Sequence, residues 1–176
     1  MTEVTSPQSD LKRLLPAEAI EQLEYELTKY PENKRRSAVM AGLMLAQKSN
    51  KGYLTEELMN AVADYLGIPH VAAYEVATFY TMYNLEPVGD HVINVCTNIS
   101  CMLRGSAEIM SHLEKRLDVK VGDTTADKKF TLIEVECQGA CAHAPMCEID
   151  EVFHENLTTD KMDQIIDTIL AKSSGD

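Results

Sequence analysis

The chain has 176 residues, 45% of them hydrophobic and 25% charged, a globular composition with room for one ordinary domain or two small ones. Its 28 acidic groups outnumber 16 basic ones, for a net charge of −12. Such a surface repels phosphate backbones and anionic lipid, which sets nucleic acid and direct membrane adhesion aside.

No apolar run approaches the roughly 20 residues that span a bilayer. Met1 to Asp10 is polar and lacks the basic-then-apolar layout of a signal peptide. A cytoplasmic, reducing environment is therefore the expectation, and clustered cysteines there read as metal-binding or catalytic before they read as disulfides.

Residues 1–15 are expected to form a flexible tail. From Pro16, apolar residues at Ile20, Leu23, Leu27 and Tyr30 follow helical spacing until Pro31. A second helix is predicted over Arg35 to Gln47. Ser49 to Gly52 reads as a turn. Thr55 is placed to cap a third helix that Gly67 ends, with Leu58, Val62 and Tyr65 on one face. Pro69 opens a fourth, running toward Phe79. Four short helices with one apolar stripe each imply a small bundle over residues 16–85. The Glu75 to Tyr83 stretch, with Phe79, Tyr80 and Tyr83, suits either a partner-facing surface or core.

The pattern changes after Pro87-Val-Gly89, and residues 86–176 read as a mixed α and β domain. His91 to Cys96 is rich in β-branched residues and predicts a strand. A helix is predicted through Leu103, Ala107, Met110, Leu113 and Leu117, starting near Cys101. Phe130 to Cys137 alternates, which puts Thr131, Ile133, Val135 and Cys137 on one face. Met146 to Ile149 predicts a short strand and Asp150–Glu151 a turn. A last helix, capped by Thr158 or Thr159, carries Met162, Ile165, Ile166, Ile169 and Leu170 on its buried face.

All five cysteines lie in this second half. Four form two pairs, Cys96-x4-Cys101 and Cys137-x3-Cys141, with 35 residues between the pairs. Each pair follows a predicted strand, so loops at one end of neighbouring strands can bring four thiolates together. Four thiolates suit a [2Fe–2S] cluster, two per iron. Structural zinc also takes four cysteines, usually in Cys-x2-Cys knuckles. A dithiol enzyme wants Cys-x2-Cys, which is absent, and Cys141-x-His143 supplies only half of a Rieske pattern. Plain buried thiols are the bland alternative. His143, in the loop of the second pair, reads as a hydrogen-bond donor to a sulfur or as solvated, and not as a ligand; Arg104 reads as offsetting charge at the cysteines or as solvated. His70, His91, His112 and His154 show no ligand spacing.

Further residues carry a resemblance. Glu75-Val-Ala-Thr-Phe-Tyr80, Pro87-Val-Gly89, Cys96-x4-Cys101-Met-Leu-Arg-Gly105 and Cys137-Gln-Gly-Ala-Cys141-Ala-His-Ala-Pro145 resemble, in order, the thioredoxin-like [2Fe–2S] subunit of the NADH dehydrogenase module of respiratory complex I. The similarity runs from about Pro16 to Leu170. It implies an α/β chain with an N-terminal helical bundle that docks and a thioredoxin-like domain that binds the cluster through Cys96, Cys101, Cys137 and Cys141. It also implies a flavoprotein partner that carries FMN, the NADH site and a [4Fe–4S] cluster. In that setting the [2Fe–2S] centre lies off the main electron path, takes one electron from reduced flavin and returns it. The complex oxidises NADH, reduces quinone and pumps protons, its peripheral arm lying on the cytoplasmic side of the inner membrane. No GxGxxG occurs here, and no residue of this chain is assigned a catalytic role. Soluble NAD-linked hydrogenases and formate dehydrogenases share the module and form the second reading; a zinc-stabilised interaction module is the third. Cys147 and Glu148 depart from the family, which tends to be apolar at both positions.

Overall fold

Apolar residues at helical spacing fill the first half of the chain, and there the chain is helical. The computed structural model describes residues 7–173. They fall into two units that divide between Pro87 and Val88. The first holds α1 (Pro7–Leu14), α2 (Ala17–Thr28), a 3-10 segment (Glu32–Ala38), α3 (Val39–Ser49), α4 (Glu56–Leu66) and α5 (His70–Phe79). Ala19, Leu23 and Leu27, four residues apart, form the buried stripe of α2. Thr55 caps α4 by accepting a 3.2 Å hydrogen bond from the Leu58 N–H, and Gly67 closes that helix with φ 68°. After α5 the chain is pinned back onto α3. The Gln47 amide donates to the Met82 carbonyl at 2.9 Å and its oxygen accepts from the Asn84 N–H at 2.7 Å. Tyr83 is buried and its hydroxyl donates to the Met40 carbonyl.

Two expectations for this unit are corrected. The tail expected over 1–15 is helical from Pro7, and Leu11 and Leu15 are buried in the same core as Leu23, Leu43 and Val62. An apolar pair four residues apart gains more by burial than by staying in water; residues 1–6 lie outside the described residues. The helix expected from Arg35 starts at Val39 instead, because the preceding turn is 3-10 and Lys34 leaves helical geometry at φ −120°. There the Arg35 guanidinium donates to the Tyr65 carbonyl at 3.1 Å.

The second unit holds β1 (His91–Cys96), α6 (Ile99–Leu103), α7 (Ser106–Leu117), β2 (Phe130–Val135), β3 (Cys147–Ile149), β4 (Val152–His154) and α8 (Thr159–Ser173). The sheet order is β2-β1-β3-β4. β1 and β2 are parallel and need a crossover, which α6 and α7 provide; the other two pairings are antiparallel. Ile93, Val95, Leu113, Leu132, Ile149, Met162 and Ile166 build the core between sheet and helices. His112 to Asp163 (2.9 Å) and Arg116 to Asp167 (2.8 Å) tie α7 to α8 at the surface. Gly89 explains the Pro-Val-Gly turn. A Cβ there would sit 2.8 Å from the Phe130 carbonyl carbon, while the Gly89 N–H donates to the Thr131 hydroxyl at 2.7 Å.

Two details of this unit differ from expectation, the break in the helix after β1 and an extra strand. The helix drawn as continuous from Cys101 to Leu117 breaks at Gly105, where φ is 95°. Along β2 the face opposite Thr131, Ile133 and Val135 is the apolar core face, carrying Phe130 and Leu132. Thr131 is buried all the same, its hydroxyl satisfied by Gly89. The turn at Asp150–Glu151 leads into an extra strand, β4. Both turn residues have positive φ (51° and 66°), the two-residue hairpin geometry that matches strand twist.

Candidate metal centre

Because β1 and β2 run parallel, the loops that follow them emerge at the same end of the sheet. Cys96 is the last residue of β1 and Cys101 lies in α6. Cys137 follows β2 by two residues, and Cys141 opens a 3-10 turn, Cys141–His143. Cys96 and Cys101 are both 2% exposed and share an apolar wall with Ala144 and Met146, against which Ala140 packs. Cys137 and Cys141 are exposed, with their sulfurs 3.3 Å apart. Gly139, at φ 89°, turns its N–H back onto the Cys137 sulfur at 3.4 Å.

Electrostatics link all four sulfurs. The Gly139 N–H, and then the Cys141 thiol, hold Cys137 below the ordinary thiol range. Cys141 is pushed up, first because it donates that hydrogen bond and then by the charges of Cys137 and, more weakly, Cys96. Burial pushes Cys101 up to about 11, reinforced by its hydrogen bond with Cys96 and by the charges of Cys96 and Cys141. Thiols that make one another harder to ionise stay protonated unless a cation displaces their protons, as metal binding does. Among the described residues no three His, Cys, Asp or Glu side chains come together as a set for one metal ion. A binuclear cluster asks for two thiolates at each iron, which the two close pairs offer.

The other residues singled out in the sequence lie beside this group or away from it. His143 points its ring at Glu155, 3.3 Å away, and its side chain is 58% exposed. Arg104 ends α6 as a backbone cap. Cys147 is fully buried in the core of the sheet, where its thiol donates to the Met162 sulfur at 3.8 Å and burial pushes it up to about 12. Glu148 is satisfied across the sheet, accepting from the Asn94 amide (2.7 Å) and the Glu151 N–H (2.6 Å). The register is Val95 opposite Cys147 and Asn94 opposite Glu148. Sequence reasoning missed two features. Asn98 caps α6 through the Ile99 N–H, a role that an Asn before an apolar stretch signals. Ile99, Met102 and Leu103, on the same short helix as Cys101, are 67%, 56% and 76% exposed.

The sequence matches the thioredoxin-like [2Fe-2S] ferredoxin family over residues 23–170. It is 48% identical over 168 residues to a subunit of the NADH-quinone oxidoreductase of Rickettsia conorii, covering 96% of this chain and 97% of that one. It is 45% identical over 152 residues to NADH dehydrogenase [ubiquinone] flavoprotein 2 of Dictyostelium discoideum, covering 86% of this chain and 62% of the relative. Among solved structures, an NAD+-reducing [NiFe]-hydrogenase in the air-oxidized state superposes with a TM-score of 0.64 at 21% identity. That match covers 74% of this chain and 23% of the hydrogenase chain, and it is a likeness of fold.

Proposed function

Because the chain belongs to the thioredoxin-like [2Fe-2S] ferredoxin family, we propose that Cys96, Cys101, Cys137 and Cys141 hold its [2Fe–2S] cluster in the electron-transfer subunit of an NADH:quinone oxidoreductase. The observation that carries this reading is the convergence of two cysteine pairs from the ends of two parallel strands. Bound there, a [2Fe–2S] cluster supplies a one-electron couple. The chain's own residues set its surroundings. Ala144 and Met146 keep water from Cys96 and Cys101, and the Gly139 N–H stabilises charge on the Cys137 sulfur.

The partner in this reading is a flavoprotein with FMN, an NADH site and a [4Fe–4S] cluster, within the peripheral arm of the complex on the cytoplasmic side of the membrane. Among the described residues no helix is long and apolar enough to cross a membrane. Residues 16–85 serve as the main dock. Val71 and Phe79 on α5 are 61% and 77% exposed, with Tyr80 beside them. The likeness to the hydrogenase keeps a place in an NAD-linked hydrogenase as the second reading, but the near full-length match to the Rickettsia NADH-quinone oxidoreductase relatives favours the first. NADH consumption tests it. The isolated chain is expected to consume none, since hydride transfer needs a flavin or an equivalent two-electron acceptor. Adding the flavoprotein should make NADH bring up the reduced-centre EPR signal of this chain. NADH turnover by the pure, flavin-free chain, or no signal in the reconstituted pair, contradicts the reading.

A further inference from the structure

Two side-chain hydrogen bonds cross between the cysteine-bearing loops. The Thr97 hydroxyl donates to Glu134 at 2.7 Å, and the Asn98 amide donates to Glu136 at 2.9 Å. Thr97 and Asn98 immediately follow Cys96, and Glu136 immediately precedes Cys137. The backbone joins the loops between these points, with the Thr97 N–H donating to the Val135 carbonyl at 3.1 Å. Asn98 has a second task, since its oxygen caps the short helix that carries Cys101. One residue thus fixes both the helix bearing the second cysteine and the distance to the strand end bearing the third.

The chemistry of the two acceptors is unexpected for a site of four thiolates. A neutral Gln or Ser at either position also offers an acceptor oxygen. Carboxylates add two negative charges beside a centre that is itself negative and becomes more so on reduction. Charge-assisted hydrogen bonds are stronger than neutral ones, so the same carboxylates hold the loops more firmly while disfavouring the added electron.

We propose that Glu134 and Glu136 are positioning residues: through Thr97 and Asn98 they hold the two cysteine loops together, and their charge keeps the potential of the centre low. This rests on the four-cysteine assignment above. The test uses the full chain loaded with iron and sulfide, in two variants. Thr97→Val with Asn98→Ser removes the Thr97 hydroxyl donor and replaces the Asn98 amide donor with a shorter hydroxyl, while keeping the β-branched shape and a capping oxygen. Glu134→Gln with Glu136→Gln keeps both acceptors and removes both charges.

The first variant is expected to lose iron to an external chelator several-fold faster than the unaltered chain. The second is expected to lose iron within about twofold of the unaltered rate, while its EPR-monitored midpoint potential moves to a more positive value, since removing nearby negative charge favours the reduced form. An unchanged release rate in the first variant overturns the proposal, as does an unmoved potential in the second. Failure of the underlying site assignment looks different: the unaltered chain would then hold no iron and sulfide at all.

Discussion

Replacing any one of Cys96, Cys101, Cys137 or Cys141 by serine is expected to abolish the visible absorption of the [2Fe–2S] centre or to make it too labile to survive purification, while Cys147→Ser leaves the spectrum intact. The reason is arithmetic as well as placement. Two irons and their bridging sulfides take four protein ligands, and the two cysteine pairs lie where the chain leaves the same end of β1 and β2. Serine offers a harder, less acidic oxygen, and the remaining three sulfurs cannot complete both irons. Cys147 faces the sheet core and Met162 instead. Its replacement adds a hydroxyl to an apolar site, with a stability loss of about 1–3 kcal/mol and no effect on ligation. Visible and circular dichroism spectra of the five anaerobically purified variants check this. An intact spectrum in any of the first four, or a lost one in Cys147→Ser, breaks the assignment.

A chain that begins at Glu86 is expected to keep the cluster and to bind the flavoprotein partner weaker by about tenfold or more, equivalent to about 1.4 kcal/mol of binding free energy per factor of ten. The second unit has its own sheet, two packing helices and a continuous core from Ile93 to Ile166, and every proposed ligand lies within it. The first unit has a separate core built on Leu23, Leu43 and Val62 and displays Val71, Phe79 and Tyr80 to solvent. Exposed aromatic and branched side chains grouped on one helix mark an interaction surface more often than scattered ones do. A pull-down of full-length and shortened chains with the flavoprotein, alongside their spectra, decides the matter. Equal capture of both would assign the helical unit a bracing role for the cysteine domain and remove it as the dock.

Much of this architecture was written locally in the sequence. Thr55 and Gly67 delimit α4 because a hydroxyl cap and a residue free to adopt positive φ act within one turn. His91–Cys96 reads as a strand from its own residues. The cysteine pairs were legible because spacing is a local property and each strand ends at a pair or just before one. What escaped depended on contacts between distant segments. Leu11 and Leu15 look unremarkable in a polar tail until α4 packs against them. Alternation along β2 does not say which face is core; Phe130 and Leu132 take it because the helices cover that side. Thr131 then finds its place through the Gly89 N–H, 42 positions away. The helix break at Gly105 was hidden because the apolar spacing continues across it, and only the positive φ of the glycine reveals the turn. Cys147 and Glu148 departed from the family pattern, yet each has a partner in the folded chain: Met162 for the thiol, and Asn94 across the sheet for the carboxylate.

Whether four thiols of this chain hold a binuclear iron–sulfur centre is tested most directly by iron, zinc and acid-labile sulfide determined on the anaerobically purified full-length chain, with EPR spectra before and after one-electron reduction. Two irons and two sulfides per chain are expected, with a rhombic signal that appears only on reduction. Stoichiometric zinc without labile sulfide would contradict this and leave the cysteines as a structural zinc site.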